Sequence, residues 1–171
     1  EDVTVLDDWD VVGLKGSGSN SIVIKEVFVP DHRISLDRLA QQRHYMIDEL
    51  KDNPLYRTPF VPSLTLSIAA PVLGTALGGF DVHMERVNKA GIGNTFYNKM
   101  SDAPLTHLQI AEIDLKLECA RSLFENAIKI LDDYSTSGKE FTQKVSIRIK
   151  AQYGYANQLW KEAYDLMLAG S

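Results

Sequence analysis

The sequence has one cysteine, no clustering of basic residues and no long uninterrupted apolar run. Cys119 is the single cysteine among 171 residues, so no disulfide can form within the chain. A reducing compartment is favoured, and we expect a cytoplasmic protein. No stretch of about 18 consecutive apolar residues occurs, which predicts no membrane span. The net charge of −5, with scattered Lys and Arg, argues against nucleic acid or an anionic membrane as partner.

Metal-ligating and nucleophilic constellations are also missing. His32, His44, His83 and His107 lie far apart in the sequence, without an i, i+4 pair or nearby Cys or Glu at ligand spacing, so no metal site is predicted. His83 falls on an apolar helical stripe and is expected to be a packed histidine. Cys119 is expected to be a small buried apolar residue. These motifs identify no catalytic residue.

Residues 1–33 carry the strand signal. A β-branched run at residues 22–29 ends at Pro30, and valines at 3, 5, 11 and 12 predict a preceding strand. One hairpin cannot bury two faces, so these strands need partners from elsewhere. The chain also begins without Met or a leader. We therefore expect it to be a piece of a longer protein.

Residues 34–62 have no sustained period and predict a long connection, with one short helix around residues 36–50. Apolar residues spaced by three and four then predict bundle-like helices at 63–89, 104–137 and 139–169. The middle helix has a second apolar stripe, so a fourth helix is expected. The three main stripes are Leu66, Ala69, Leu73, Ala76, Phe80, His83, Val87; Ile110, Ile113, Leu117, Ala120, Phe124, Ala127, Leu131, Tyr134; and Val145, Ile149, Gln152, Ala156, Leu159, Ala163, Leu166.

The Gly- and Ser-rich loop at residues 16–19 does not match a phosphate-binding motif, because a strand follows it instead of a helix. From its residues alone it is a turn. The aromatic pair Phe96 and Tyr97 is expected to be core rather than a cofactor contact.

A longer pattern around this loop carries a family resemblance. Residues 9–20 read Trp-Asp-Val-Val-Gly-Leu-Lys-Gly-Ser-Gly-Ser-Asn, and Val27-Phe28-Val29-Pro30 follows. This resembles the acyl-CoA dehydrogenase-fold pattern W-x-x-x-G-L-R/K-G-T/S-G-S. The Gly-Ser-Gly-Ser-Asn version is similar to two-component flavin-dependent monooxygenases such as the p-hydroxyphenylacetate hydroxylase oxygenase component. The match continues at Pro59-Phe60 and at residues 67–74.

The resemblance implies a mainly α fold. The chain would contain the last strands of a middle β-domain (1–33), a connecting loop (34–62) and three helices of an acyl-CoA dehydrogenase-like C-terminal bundle (63–171). The implied enzyme is a homotetrameric oxygenase component that uses reduced FMN and O₂ to hydroxylate a small aromatic, phenolic substrate. A separate reductase would supply the flavin.

The resemblance also implies site residues. Ser17 and Ser19 would lie on the flavin side of the β-domain. Phe60, Val61, Ser63 and Leu64 would line the aromatic-substrate pocket, with Val61 favouring an uncharged substrate edge.

The sequence departs from the family pattern at one position, which is expected to bind the flavin phosphate. Some relatives place an arginine where this chain has Ala90. Either Lys89 takes the role of phosphate ligand, with Arg86 one turn earlier, or the affinity of this protein for the flavin is reduced. Two alternatives stay open: an acyl-CoA dehydrogenase-type FAD oxidoreductase, and a non-catalytic helical oligomerisation fragment.

Overall fold

The computed structural model describes residues 3–35 and 49–170. The chain divides into two units, residues 1–37 and residues 38–171. The first is a small β-hairpin with its loop, and the second is a set of helices. The short helix predicted around residues 36–50 falls almost wholly outside the described residues.

The first unit pairs two short strands. Strand β1 (Val3–Val5) runs antiparallel to β2 (Ile22–Ile24), with Thr4 opposite Val23. The prediction of a strand over 22–29 was too long, because Glu26 takes a positive φ of 51° and leaves the extended conformation. Val11 and Val12 also lie outside any strand. The strands are largely exposed within this unit, as expected of a hairpin without a sheet.

The described residues of the second unit form the α-helices α1 (Pro54–Arg57), α2 (Phe60–Lys89), α3 (Pro104–Ser137) and α4 (Gln143–Ala169). The connection predicted to last until residue 62 was therefore too long, and α2 begins three residues before its predicted start. Pro62 does not prevent this, because an amide N–H in the first helical turn has no intrahelical acceptor.

The loop between α3 and α4 places the start of α4 at residue 143 rather than at 139. Gly138 ends α3 with a φ of +68°, the left-handed conformation that glycine adopts without strain. Phe141 then packs edge-on against Tyr134, with ring centroids 5.6 Å apart. Phe141 therefore belongs to the loop, although the periodicity had assigned it to the helix predicted at 139–169.

The three predicted stripes meet in one core, which confirms the bundle prediction. Ile113, Ile149 and Trp160 are completely or almost completely buried, and Leu117 and Phe124 are buried with them. Leu73 is half-buried and packs against this core. Lys116 on α3 also forms an ion pair with Glu162 on α4, with Nζ and Oε2 2.7 Å apart.

The second apolar stripe of α3 (Leu108, Leu115, Cys119, Leu123 and Ile130) is only partly covered in the described chain, with Leu123 and Ile130 packed against the core. Leu108 and Leu115 are 70% and 64% exposed, and Cys119 is exposed too, so its prediction as a buried residue was wrong for this chain. Phe96 is 83% exposed, which also corrects its assignment to the core. Leu115 and Cys119 border an open groove beside α4 instead of entering the core, and Phe96 lies in the loop before α3.

Helix α2 is unusually apolar. No charged side chain occurs between Thr58 and Phe80, and by length and composition alone α2 could cross a membrane. Core helices of soluble proteins meet the same criterion, and α2 contributes Leu66, Ala69 and Ala76 to the core. The prediction that the protein has no membrane partner stays a prediction.

Candidate functional site

The glycine–serine loop is held by hydrogen bonds within the hairpin unit. The backbone N–H of Trp9 donates to Asn20 Oδ1 at 3.1 Å. Its indole Nε1–H donates to the carbonyl of Leu14 at 3.0 Å. Leu14 is itself in the left-handed region, at φ +53°, a strained conformation that these bonds help to hold. The loop is therefore a pre-formed structure.

The two serines assigned to flavin binding differ in their availability. The hydroxyl of Ser17 donates to the carbonyl of Leu14 at 2.7 Å and is used in closing the 3₁₀ turn Lys15–Ser17. Ser19 is exposed, and no partner for its hydroxyl is found among the described residues. Ser19 is the member of the pair whose side chain is free to bind a ligand.

The base of the same loop is closed by Asp8. Its Oδ1 accepts the backbone N–H of Ser21 at 2.8 Å. Hydrogen bonds from the hydroxyl and the backbone N–H of Ser21 hold the pKa of the Asp8 carboxyl below its usual value. Asp8 is thus ionised at neutral pH and has a structural role at the start of β2.

The proposed substrate-lining residues occupy the first two turns of α2. Phe60 and Leu64 are spaced i, i+4 and are each 48% exposed, so they form one apolar patch, with Ser63 beside them. Val61 is half-buried on the neighbouring side of the helix. The structure therefore brings together Phe60, Ser63 and Leu64, and this surface carries no charge.

The proposed phosphate ligand lies at the other end of α2. Lys89 Nζ is 3.2 Å from Glu85 Oε2, and both side chains are largely exposed. Arg86 has no carboxylate within ion-pair distance among the described residues, so its charge is the less compensated one. Cations in the last turn also stabilise the helix dipole, which gives both residues a structural role in addition to any ligand.

Two adjoining cavities lie between α2 and α4. The first, about 260 Å³, has apolar walls from Val72, Ala76 and Trp160. The second, about 400 Å³, extends to His83 and Arg86, and Thr75 and Tyr164 border both cavities. The walls of the groove that the two cavities form are mainly apolar. Lys161 in the first cavity is paired with Asp165, so Arg86 in the second cavity is the less compensated cation and marks the basic end of the groove.

His83 lies at the basic end of this groove and is buried, as predicted. Its Nδ1 is buried without a hydrogen-bond partner. Burial, with a smaller effect from the charge of Arg86, holds the pKa of His83 below the usual histidine value. His83 is therefore neutral at physiological pH, and Arg86 carries the positive charge at this end.

A third cavity, about 640 Å³, lies between α3 and α4. Leu115, Cys119 and Leu123 of α3 face Tyr155 and Leu159 of α4, and Glu112 and Glu118 stand at its edge. This volume is typical of ligand sites, but the cavity is open along its length. It is the surface left by the uncovered second stripe of α3.

The assigned flavin and substrate residues do not converge within the helical unit. Leu64 and Lys89 are separated by most of α2, and at about 1.5 Å per helical residue they lie about 37 Å apart. One flavin cannot contact both ends of this helix in a single subunit. If both assignments hold, Lys89 binds the flavin of a site other than the one that Phe60, Ser63 and Leu64 of the same subunit line.

Sequence reasoning missed a contact next to the substrate patch. Thr58 Oγ1 lies 2.9 Å from Ser135 Oγ, across 77 residues of sequence. Single hydroxyl residues carry no periodic or motif signal, so only the folded chain reveals this pair. Within residues 3–35 and 49–170, no three His, Cys, Asp or Glu side chains come together as metal ligands.

The family follows from sequence comparison. The family model described as "Acyl-CoA dehydrogenase, C-terminal domain" matches residues 66–171, which is more than half of the chain. The chain belongs to this family. The resemblance in the glycine–serine loop and the core of the helical unit are both in agreement with that membership.

The relatives are flavin-dependent monooxygenases. The chain is 31% identical over 153 residues to the oxygenase subunit HsaA of Rhodococcus jostii (strain RHA1), covering 88% of this chain and 39% of that protein. It is 24% identical to the p-hydroxyphenylacetate 3-hydroxylase oxygenase component of Acinetobacter baumannii, covering 99% and 40%. The chain therefore spans about two fifths of the length of these relatives.

Solved structures show the same fold. XiaF from Streptomyces sp., in complex with FADH2 and glycerol, superposes with a TM-score of 0.87 at 27% identity, covering 98% of this chain and 42% of that one. The HsaA monooxygenase from M. tuberculosis gives 0.81 at 25% identity, covering 99% and 42%. Hairpin and helices are thus both elements of the acyl-CoA dehydrogenase-like monooxygenase fold.

Proposed function

We propose that the protein containing this chain is the oxygenase component of a two-component flavin-dependent monooxygenase. Its substrate would be a small aromatic, phenolic compound, and a separate reductase would supply the flavin. The similarity along almost the whole chain to HsaA carries this proposal. A homotetramer and a cytoplasmic location are parts of the same proposal. Reduced flavin, when bound, activates O₂ so that one oxygen atom is transferred to the aromatic ring.

The residues of this chain have supporting roles in that reaction. Phe60 and Leu64 would pack against the aromatic substrate and exclude water from it. The hydroxyl of Ser63 beside them has no partner among the described residues and can bind a phenolic oxygen. Because neither these residues nor Val61 carries a charge, we propose that this side of the pocket receives an uncharged part of the substrate.

The flavin phosphate is best matched by the cations at the end of α2. Arg86 and Lys89 are exposed donors one turn apart, and the cavity beside Arg86 has the volume of a ligand site. This donor set fits the phosphate of a flavin at a site other than the one that Phe60 and Leu64 of the same subunit line. In the glycine–serine loop, Ser19 has no partner for its hydroxyl among the described residues, and we propose it as a flavin-binding donor there.

We propose reduced FMN as the flavin, with FAD as a second candidate. One relative is named as an FADH(2)-dependent resorcinol hydroxylase, and XiaF was solved with FADH2. These two names support FAD, whereas FMN is supported by the Gly-Ser-Gly-Ser-Asn loop, which resembles the two-component hydroxylases and not the dehydrogenases that bind FAD tightly. An acyl-CoA dehydrogenase-type FAD oxidoreductase and a non-catalytic helical module are the other candidates, and the same assays separate all of them.

The reaction itself is tested with the full-length protein, a flavin reductase, NADH and a panel of phenols. We expect a hydroxylated product with FMN present, and only background product when the reductase is omitted. Product that forms with FAD but not with FMN would assign the second candidate. Product that forms without reduced flavin, or oxidation of an acyl-CoA by a tightly bound FAD, would exclude the proposed reaction. A control without phenol measures the hydrogen peroxide formed by the flavin alone.

The phosphate ligand is tested by anaerobic titration with reduced FMN. Replacing Lys89 by alanine removes one exposed charge–phosphate contact, so we expect binding to weaken by about 1 kcal/mol, or about fivefold in Kd. Lys150→Ala, at an exposed position on α4, is the matched control and should bind as the wild type does. Unchanged affinity in Lys89→Ala with weaker binding in Arg86→Ala would assign the phosphate to Arg86 instead.

A further inference from the structure

Helix α2 begins without the usual capping interactions. Its N-cap residue is Pro59, and no side chain there accepts a hydrogen bond from the first turn. The first amides of a helix lack intrahelical acceptors, so an uncapped helix start tends to fray. Yet this start carries Phe60, Ser63 and Leu64, the residues assigned to the substrate.

The segment preceding α2 is instead held against the end of α3. The Thr58 hydroxyl donates its one proton to Ser135 Oγ at 2.9 Å, and the carbonyl of Pro54, at 3.0 Å, is a competing acceptor. Ser135 is buried, and its hydroxyl donates to the carbonyl of Leu131 at 2.8 Å. The next residue, Pro59, is also buried. A chain of hydrogen bonds therefore connects α3 to the residues immediately before α2.

These two hydroxyls fix the orientation of the contacting segments more than they add to the stability of the contact. Two apolar groups of the same shape would hold the surfaces together about as well, because a buried hydrogen bond adds little net free energy. A hydrogen bond between hydroxyls, however, requires a defined distance and angle. The hydrogen bond between the two hydroxyls therefore fixes the orientation of Thr58 relative to α3. Because Thr58 is connected to α2 through the backbone, the orientation of the first turn of α2 is fixed with it.

We infer that the hydroxyl pair Thr58–Ser135 is a positioning device that fixes the first turns of α2, and with them the substrate-facing side chains Phe60, Ser63 and Leu64. The inference deepens the proposed function and rests on it for the identity of the substrate surface. Neither hydroxyl contacts the substrate. Small displacements of positioning groups reduce the rate strongly, so loss of the pair affects the use of reduced flavin for hydroxylation.

The first test measures position without using activity. Hydrogen exchange is followed in the full-length protein at the backbone amides of residues 63–66, which begin with the bond from the Ser63 amide to the carbonyl of Pro59. Thr58→Val and Ser135→Ala should each lower their protection about threefold to tenfold, while the amides at residues 76–89 keep theirs. Thr58→Ser retains the hydroxyl and should restore protection. Wild-type exchange in both Thr58→Val and Ser135→Ala would overturn the inference.

The second test measures coupling, the ratio of hydroxylated product to hydrogen peroxide. We expect Thr58→Val and Ser135→Ala each to raise the peroxide fraction and the KM for the phenol. In the double variant, the peroxide fraction and the KM should be no higher than in either single variant. Thr136→Val is the matched control, because its exposed hydroxyl makes the same bond to a carbonyl four residues earlier. Strictly additive losses, or equal losses in Thr136→Val, would overturn the positioning role.

Failure of the proposed function has a different signature. In that case the wild-type protein forms no hydroxylated product, whatever happens at residues 58 and 135. The exchange measurement still decides whether the hydroxyl pair fixes the start of α2.

Discussion

Replacing Phe124 by alanine is expected to destabilise the full-length protein by about 3–5 kcal/mol. The ring lies in the middle of α3, is 5% exposed, and meets Trp160 of α4 edge-on with centroids 5.7 Å apart. Truncation removes its buried apolar surface and leaves a cavity that the long helices on either side cannot easily close. Chemical denaturation in urea measures the loss as a lower midpoint at unchanged slope.

The control for this substitution is Lys129→Ala, at an exposed position on the same helix, which should change stability by less than about 0.5 kcal/mol. A double variant with Trp160→Ala would give a coupling of about 0.5–1.5 kcal/mol if the edge-on contact is made. A loss of less than about 1 kcal/mol for Phe124→Ala would contradict its place in the core.

Replacing Ile113 by aspartate is expected to have a still larger effect, about 4 kcal/mol or more. Ile113 is fully buried between the helices, and no described cation lies in the apolar cluster around it. An unpaired carboxylate there would lose its hydration without compensation. Such a cost is a large fraction of the stability of an ordinary domain, so thermal melting should show a broad or absent transition.

The charge and the shape of residue 113 can be separated experimentally. Burial raises the pKa of a carboxyl group, so Ile113→Asp should be less destabilising at low pH, where the group is neutral, and the difference from wild type should narrow as the pH falls. Ile113→Val keeps the site apolar and should cost only about 0.5–1.5 kcal/mol. Equal melting of Ile113→Asp and wild type at neutral pH would remove Ile113 from the core.

The candidate site was only partly accessible to sequence reasoning. The patch of Phe60, Ser63 and Leu64 follows from helical spacing once α2 is known to begin at residue 60, but the sequence placed that start three residues later. The difference between Ser17 and Ser19 was not accessible, because it depends on which hydroxyl bonds to Leu14. The wide separation of Lys89 from Leu64 was accessible, because it follows from the length of α2 and depends only on α2 being one continuous helix.

The helices and their inward faces were determined by the sequence itself. Spacings of three and four place Leu117, Phe124 and Ile149 on buried faces, because one turn of an α-helix takes 3.6 residues and this regularity is local. Gly138 marks the end of α3 for an equally local reason, since its left-handed conformation suits a residue without a side chain.

Tertiary structure alone decided which apolar stripes are covered and which distant hydroxyls meet. Cys119 and Leu115 lie on a second apolar stripe of α3, yet the described helices leave them beside an open groove and do not bury them. Thr58 and Ser135 are 77 residues apart and become neighbours only when the end of α3 reaches the start of α2. Local periodicity specifies which residues share a helical face. The choice of the surface that buries a face is a property of the assembled helices, because burial depends on neighbours that are distant in sequence.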